Sequence, residues 1–171
     1  VAKKLRAEGL TARVAKRVSE GLAEEYDDLL LEPFVGGQQA IYVRTRNAQG
    51  IRLGDLGDGV QALATLMLLH EFLKPRILLI DDIESHLNPG LMYILTGWLK
   101  GILKDGVKLI ASTHSLEAAK LIAGALEEHN PQVTLLSLRK GRLRFRNLSL
   151  EDLEELEKEG VDARLGEGLL I

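Results

Sequence analysis

Ile77-Leu78-Leu79-Ile80-Asp81-Asp82-Ile83-Glu84-Ser85-His86-Leu87-Asn88-Pro89 is the stretch whose reading decides the fold. Four branched apolar residues run into two adjacent carboxylates, and Asn88-Pro89 then opens a helix. The unbroken apolar run predicts a strand over Ile77–Ile80 buried on both faces, as in parallel sheets covered by helices. Carboxylates at the C-terminal end of such a strand lie in the crevice where open α/β sheets take ligands. Asp81 and Asp82 are neighbours, so they point to opposite sides of the chain unless it is already turning. One can then hold a metal while the other faces a water, a layout suited to a Mg²⁺-nucleotide site.

Downstream, Asn88 caps a helix over Pro89–Lys104 with proline at its first position. Val107–Ser112 reads as a second buried strand, and Ser115–Glu128 as a helix ended by Asn130-Pro131. Val133–Leu138 and Leu143–Phe145 flank Lys140-Gly141 as a hairpin. Ser149 caps a last, acidic helix, Leu150–Lys158. Upstream, Asp58–Lys74 is a strong helix stopped at Pro75. Ala40–Thr45 and Ile51–Leu53 pair across an Asn47-Ala48-Gln49-Gly50 turn. Gly36-Gly37 breaks the chain before them, and Thr11 to Leu31 reads as one amphipathic helix. Its apolar stripe is Val14, Val18, Leu22, Leu29 and Leu30. Strand and helix alternate from residue 75 onward, which predicts an α/β protein with a mainly parallel sheet, flanking helices and small β-hairpins.

At 171 residues the chain is most simply one domain spanning 1–171, long enough to bury roughly 70% of its unfolded surface. Hydrophobic content of 46% and charged content of 27% are those of a globular protein. No apolar run reaches 18 residues, which argues against a membrane span. Val1–Arg6 has no apolar core of the kind a signal peptide needs, so a cytoplasmic protein is the default. With no cysteine there is neither a disulfide nor a thiolate site or nucleophile. The net charge of −3 supplies no global field for nucleic acid. The basic hairpin of Arg139, Lys140, Arg142, Arg144 and Arg146 reads as a solvated face first and a nucleic-acid contact second.

Three motifs carry chemistry. Leu53-Gly54-Asp55-Leu56-Gly57-Asp58-Gly59-Val60-Gln61 is a glycine-rich turn opening into a helix, where free amides attract phosphate. Taken alone it is as readily a tight turn. The Asp81-Asp82 strand end taken alone is a solvated acidic turn as readily as a metal site. Ser112-Thr113-His114-Ser115 follows a strand and precedes a helix, and a histidine there can donate to a phosphate oxygen or be a plain loop histidine.

In this order and spacing the three motifs resemble the C-terminal half of an ABC-type ATPase head, over about residues 20 to 150. The nearest likeness is to the SMC-like predicted ATPases related to the overcoming-lysogenization-defect group. The resemblance implies a P-loop NTPase-like fold using ATP and Mg²⁺. Leu56-Gly57-Asp58-Gly59 resembles the signature loop that caps a γ-phosphate held by a partner subunit. Ile77–Asp82 resembles Walker B, with Asp81 as the metal-binding carboxylate. Asp82 stands where the family has the glutamate that polarises the attacking water. Ser85–Pro89, with Asn88, resembles the D-loop, and His114 the switch histidine.

The chain departs from that pattern at three points. Gly57 stands where the signature carries serine. Asp82 is one methylene shorter than glutamate, and ångström-scale misplacement can cost ~10²-fold in rate. No window fits the Gly-x-x-x-x-Gly-Lys-Ser/Thr that holds the β- and γ-phosphates. The expectation is therefore a C-terminal lobe that needs an N-terminal P-loop lobe, from the same or another polypeptide, to hydrolyse ATP. Complete heads would form a homodimer around ATP, with nucleic acid or a nuclease as a possible further partner. The alternative is a degenerate, non-catalytic interaction module. A Mg²⁺-dependent nuclease or phosphoacceptor ranks below both, because Asp81-Asp82-Ile83 lacks the Asp-x-Asp and separate glutamate of such nucleases, and the Val107–Ser112 strand ends without a phosphorylatable aspartate.

Overall fold

Gly9, left-handed at φ 65°, leads into helix α1 (Leu10–Ser19), which buries Leu10, Val14, Ala15 and Val18 along one face. The computed structural model describes residues 9–20, 22, 25–47, 50–139 and 141–159. The expected continuation of this helix to Leu31 is overturned: Tyr26–Pro33 is a strand, β1. It pairs antiparallel with β2 (Gln39–Thr45), and Leu29, Leu30 and Leu31 face Val43, Tyr42 and Ile41. Leu29 and Val43 are both buried, so cross-strand packing overrides the helical spacing of the leucines. Gly36 and Gly37, at φ 74° and 76°, make the reversal between the two strands. Asp28, also buried on β1, lies 3.8 Å from Arg44 of β2.

The chain divides into two compact units, one taking residues up to Ile80 plus Glu84–Ile110, the other Asp81–Ile83 plus the chain from Ala111. In the first, β3 (Gly50–Arg52) pairs with β2 in the expected hairpin, although Ala48 and Gln49 of the turn lie outside the described residues. Helix α2 (Asp58–Leu73) buries Val60, Leu63, Ala64 and Met67. It stops where Lys74 turns left-handed (φ 46°) ahead of Pro75. Helix α1 packs against β1 and α2. Helix α3 (Pro89–Lys104) buries Leu91, Ile94, Leu95, Trp98, Leu99 and Ile102. Its spacing of apolar residues every three or four places is the signature of a core-facing helix. The Trp98 ring meets His70 of α2 edge-on at 5.3 Å.

Strands β4 (Ile77–Ile80) and β5 (Lys108–Ala111) form a two-stranded sheet. The 16-residue α3 joins them, a connection of the length that parallel strands need. The expected burial on both faces is corrected. Leu78, Ile80 and Leu109 are half-buried, whereas Ile77, Leu79 and Ile110 are 55%, 70% and 64% exposed. No segment among the described residues covers that apolar face.

The second unit holds α4 (Leu116–Ala125), the antiparallel hairpin β6 (Val133–Arg139) and β7 (Arg142–Leu148), and α5 (Leu150–Lys158). Helix α4 ends sooner than Glu128: a tight turn over Glu127–His129 and left-handed Asn130 (φ 52°) take the chain to β6. Leu148, Leu153 and Leu156 form the core here, with Leu116, Val133, Leu135 and Leu150 against it. Leu136, Leu138, Leu143 and Phe145 stand exposed. They share the opposite face of the hairpin, since Leu136 pairs with Phe145 and Leu138 with Leu143. Ser149 starts α5 as expected: its hydroxyl accepts from Asp152 N–H at 3.0 Å, while Asp152 Oδ2 accepts from Ser149 N–H at 2.7 Å. This reciprocal cap resembles a capping box with aspartate in the acidic position.

Candidate functional site

The chemistry-bearing residues fall into two groups, one in each compact unit. In the second unit the chain leaves β4 and turns at once. Asp82 is left-handed (φ 47°), so the opposed directions expected of two extended neighbours do not apply. The turn is tied to the end of β5. Ile83 N–H donates to the Ser112 carbonyl at 3.1 Å, and Asp82 N–H donates to Ser112 Oγ at 3.0 Å. The same hydroxyl donates to Asp81 Oδ1. The pairing leaves Asp82 Oδ1 3.5 Å from His114 Nε2, and no hydrogen bond reaches that oxygen among the described residues. The His114 ring is almost fully exposed, and Asp82 half so. Thr113 Oγ1 accepts from Ser115 N–H at 3.0 Å, and Ser115 Oγ caps α4 at Ala118 N–H. These bonds hold the backbone on either side of the histidine.

Asp81, Asp82 and His114 are thus brought together. Ser112, which the residue pattern alone left without a role, joins them. The signal was its place in the Ser112-Thr113-His114-Ser115 run. What it does depends on which strand ends beside Asp81, 31 positions away.

The oxygen set at this turn suits a hard cation. Mg²⁺ keeps several waters and is bound through one or two carboxylates plus phosphate oxygens rather than an all-protein cage. No group of three or more His, Cys, Asp or Glu side chains that could hold a metal ion occurs among the described residues. Asp82 Oδ1 is itself enclosed and has no donor among the described residues, while the carboxylate as a whole is half-exposed.

The glycine-rich loop lies in the first unit. Arg52 forks onto Asp55, with Nη2 2.5 Å from Oδ1 and Nε 3.2 Å from both oxygens. That hydrogen bond holds the Asp55 carboxyl below its ordinary value and raises the guanidinium. Arg52 also lies over the Phe34 ring at 5.0 Å. The fork braces the turn Leu53–Asp55 and delivers Leu56, half-buried, to Gly57. Gly57 has φ 94° and ψ 155°, a conformation essentially reserved for glycine. A serine there would be strained, which accounts for the absence of the pattern's hydroxyl.

Asp58 begins α2, whose N-terminus has no side-chain cap, so its first amides point outward. Asp58 sits 3.9 Å from His86 Nδ1. Gly59 is buried, and a Cβ on it would stand 2.3 Å from the His86 carbonyl oxygen. Its role is close backbone packing. Asn88 Oδ1 accepts from Leu91 N–H at 2.9 Å, which commits it first to capping α3. An open groove of about 470 Å³ runs along α2, lined by Asp58, Gln61, Ala62, Thr65, Leu66 and Leu69. No helix among the described residues is long and apolar enough to cross a membrane.

Comparison with solved structures gives a consistent fold. A structure from work on "ATP-driven dimerization and DNA stimulated activation of SMC ATPases" superposes with a TM-score of 0.67 at 18% identity. The match covers 92% of this chain and 94% of that one. The Smc head domain of Pyrococcus yayanosii, with a coiled coil and joint, gives 0.61 at 21% identity, over 92% of this chain and 31% of its own. The Pyrococcus furiosus Smc head bound to the C-terminal domain of ScpA gives 0.59 at 17%, over 90% and 38%. The chain thus spans about a third of the length of these two longer Smc chains. The fold is the P-loop NTPase-like α/β fold of SMC heads. No curated protein matches the sequence. A family match covers residues 5–119, described as "AAA domain, putative AbiEii toxin, Type IV TA system". With more than half of its 171 residues inside that match, the chain belongs to this AAA-domain family of ATPases.

Proposed function

We propose that this chain is the signature, Walker B and switch-histidine part of an ABC/SMC-like ATPase head, completed by an N-terminal P-loop lobe. The observation that carries the reading is the turn after β4, where one serine hydroxyl ties Asp81 and Asp82 and the Asp82 carboxylate lies 3.5 Å from His114. When bound, Mg²⁺ supplies charge neutralisation and orientation to phosphate oxygens. Asp81 holds it through a carboxylate already aimed by Ser112. Asp82 accepts a hydrogen bond from the water to be activated through its half-exposed carboxylate. His114, exposed beside it, donates a ring N–H to a terminal phosphate oxygen.

The outward amides at the start of α2, behind Gly57, suit a phosphate held by a second head. This gives ATP a reason to close two heads and hydrolysis a reason to part them. The exposed apolar side chains of Ile77, Leu79 and Ile110 on adjacent strands support the P-loop lobe as a packing partner, since neighbouring exposed apolar residues of this kind suit an interaction surface. The SMC study named above concerns ATP-driven dimerization, which fits this scheme.

The test is Asp82→Asn in the complete, P-loop-containing protein. Loss of the base should lower turnover about 10²-fold or more, while equilibrium dialysis finds ATP binding retained. Unchanged turnover would remove Asp82 from the reaction.

A further inference from the structure

The Ser112 hydroxyl sits where two acidic residues and a strained backbone meet. It receives the Asp82 amide at 3.0 Å and gives its own hydrogen to Asp81 Oδ1. Its backbone carbonyl receives Ile83 N–H at 3.1 Å, so this one residue fastens three consecutive residues of the turn. A non-glycine residue at positive φ costs about 1–3 kcal/mol and persists only where its surroundings over-determine it. For Asp82, at φ 47°, the two bonds to Ser112 supply that constraint.

We propose that Ser112 is the positioning residue of the acidic pair. By occupying Asp81 Oδ1 it leaves Oδ2 as the oxygen open to a cation. By anchoring the Asp82 amide it holds the left-handed turn that sets Asp82 Oδ1 3.5 Å from His114 Nε2. Neither effect requires Ser112 to touch a substrate. Ser112 is itself exposed, so its hydroxyl is not needed to fill a core. The inference rests on the proposed ATPase reading for its catalytic consequence, but not for its geometric one.

The experiment compares Ser112→Ala and Ser112→Thr in the complete protein. Loss of an outer-shell partner typically costs 10–100-fold in metal affinity or activity. Ser112→Ala should therefore lower kcat at least about tenfold and raise the Mg²⁺ concentration for half-maximal rate. The KM for ATP and the melting temperature should stay near wild type. Ser112→Thr keeps the hydroxyl and should restore both rate and Mg²⁺ dependence.

A second readout needs neither nucleotide nor metal. The imidazole NMR signal of His114, assigned by its loss in His114→Gln, should move in Ser112→Ala towards its place in Asp82→Ala, and stay put in Ser112→Thr. Wild-type rate and an unmoved His114 signal in Ser112→Ala would overturn the proposal. Equal impairment of both variants with a fall in melting temperature would also overturn it, by reducing Ser112 to a folding role. If the wild-type protein hydrolyses no ATP, the ATPase reading fails by itself, and the His114 signal alone decides whether Ser112 positions the pair.

Discussion

Alanine at Gly59 and at Gly97 should move stability in opposite directions, although both glycines lie within helices. A Cβ at Gly59 would stand 2.3 Å from the His86 carbonyl oxygen and 2.8 Å from Leu91 Cδ1. Ordinary contact is roughly 3.5 Å, so the carbonyl must retreat by about 1.2 Å, the difference between the two distances. That carbonyl is backbone in a left-handed residue (His86, φ 63°), which has little freedom to yield. Overpacking of this kind costs about 1–3 kcal/mol. Helix propensity returns at most ~1 kcal/mol, and less in a first turn. The net expectation is a loss of about 1–2 kcal/mol, or roughly 2–8 °C in melting temperature for a chain of this size. At Gly97 nothing lies within 4 Å of the new methyl, so only the propensity gain of ~0.5–1 kcal/mol is left, worth about 1–4 °C upward. Thermal unfolding followed by circular dichroism measures both. A Gly59→Ala protein as stable as Gly97→Ala would refute the argument that the start of α2 is pressed against the His86 backbone.

Two more outcomes follow from the same geometry. The Asp152 carboxyl is held below its ordinary value, first by the Ser149 amide and then by its hydroxyl. A lowered folded pKa means that its stabilisation is present above the unfolded value and lost as pH falls through the folded one. The urea midpoint of Asp152→Ala should therefore fall below wild type near neutral pH, and the gap should close as pH falls through the lowered folded pKa; a gap that does not change with pH would reject the cap. Leu79→Thr keeps strand propensity but removes apolar surface. It should change the isolated chain by less than ~0.5 kcal/mol and destabilise the P-loop-containing protein by about 2 kcal/mol or more. Equal effects in the two would deny that the lobe covers this face.

Elements announced by local chemistry were legible in the sequence. Helix α3 runs from Pro89 to Lys104 as read, because an Asn-Pro start needs no distant partner. Helix α5 matches its expected bounds for the same reason, with Ser149 and Asp152 three residues apart. Strand β1 was not legible. Leu29, Leu30 and Leu31 are consecutive, so they satisfy a helical stripe and a strand alike, and only pairing with Ile41–Val43 decides between them. The apolar run of β4 signalled burial but not what does the burying, and one of its faces stands open. In the site, Asp81, Asp82 and His114 were readable from order and spacing. The part played by Ser112 was not, because a hydroxyl 31 positions away acquires it only through the adjacency of β4 and β5.

The departures from the ATPase-head pattern can be weighed in the same physical terms. Gly57 and Asp82 are the two positions where this chain changes the residue the pattern carries, and both have positive φ, 94° and 47°. Serine is disfavoured in the first conformation, where glycine is essentially required. In the second, aspartate is among the side chains best tolerated, being short and able to bond locally, whereas glutamate gains no such relief. Replacing glutamate by aspartate at constant backbone would simply withdraw the carboxylate. In this chain the left-handed turn sets the shorter acid 3.5 Å from His114. Each altered side chain therefore agrees with the backbone beneath it.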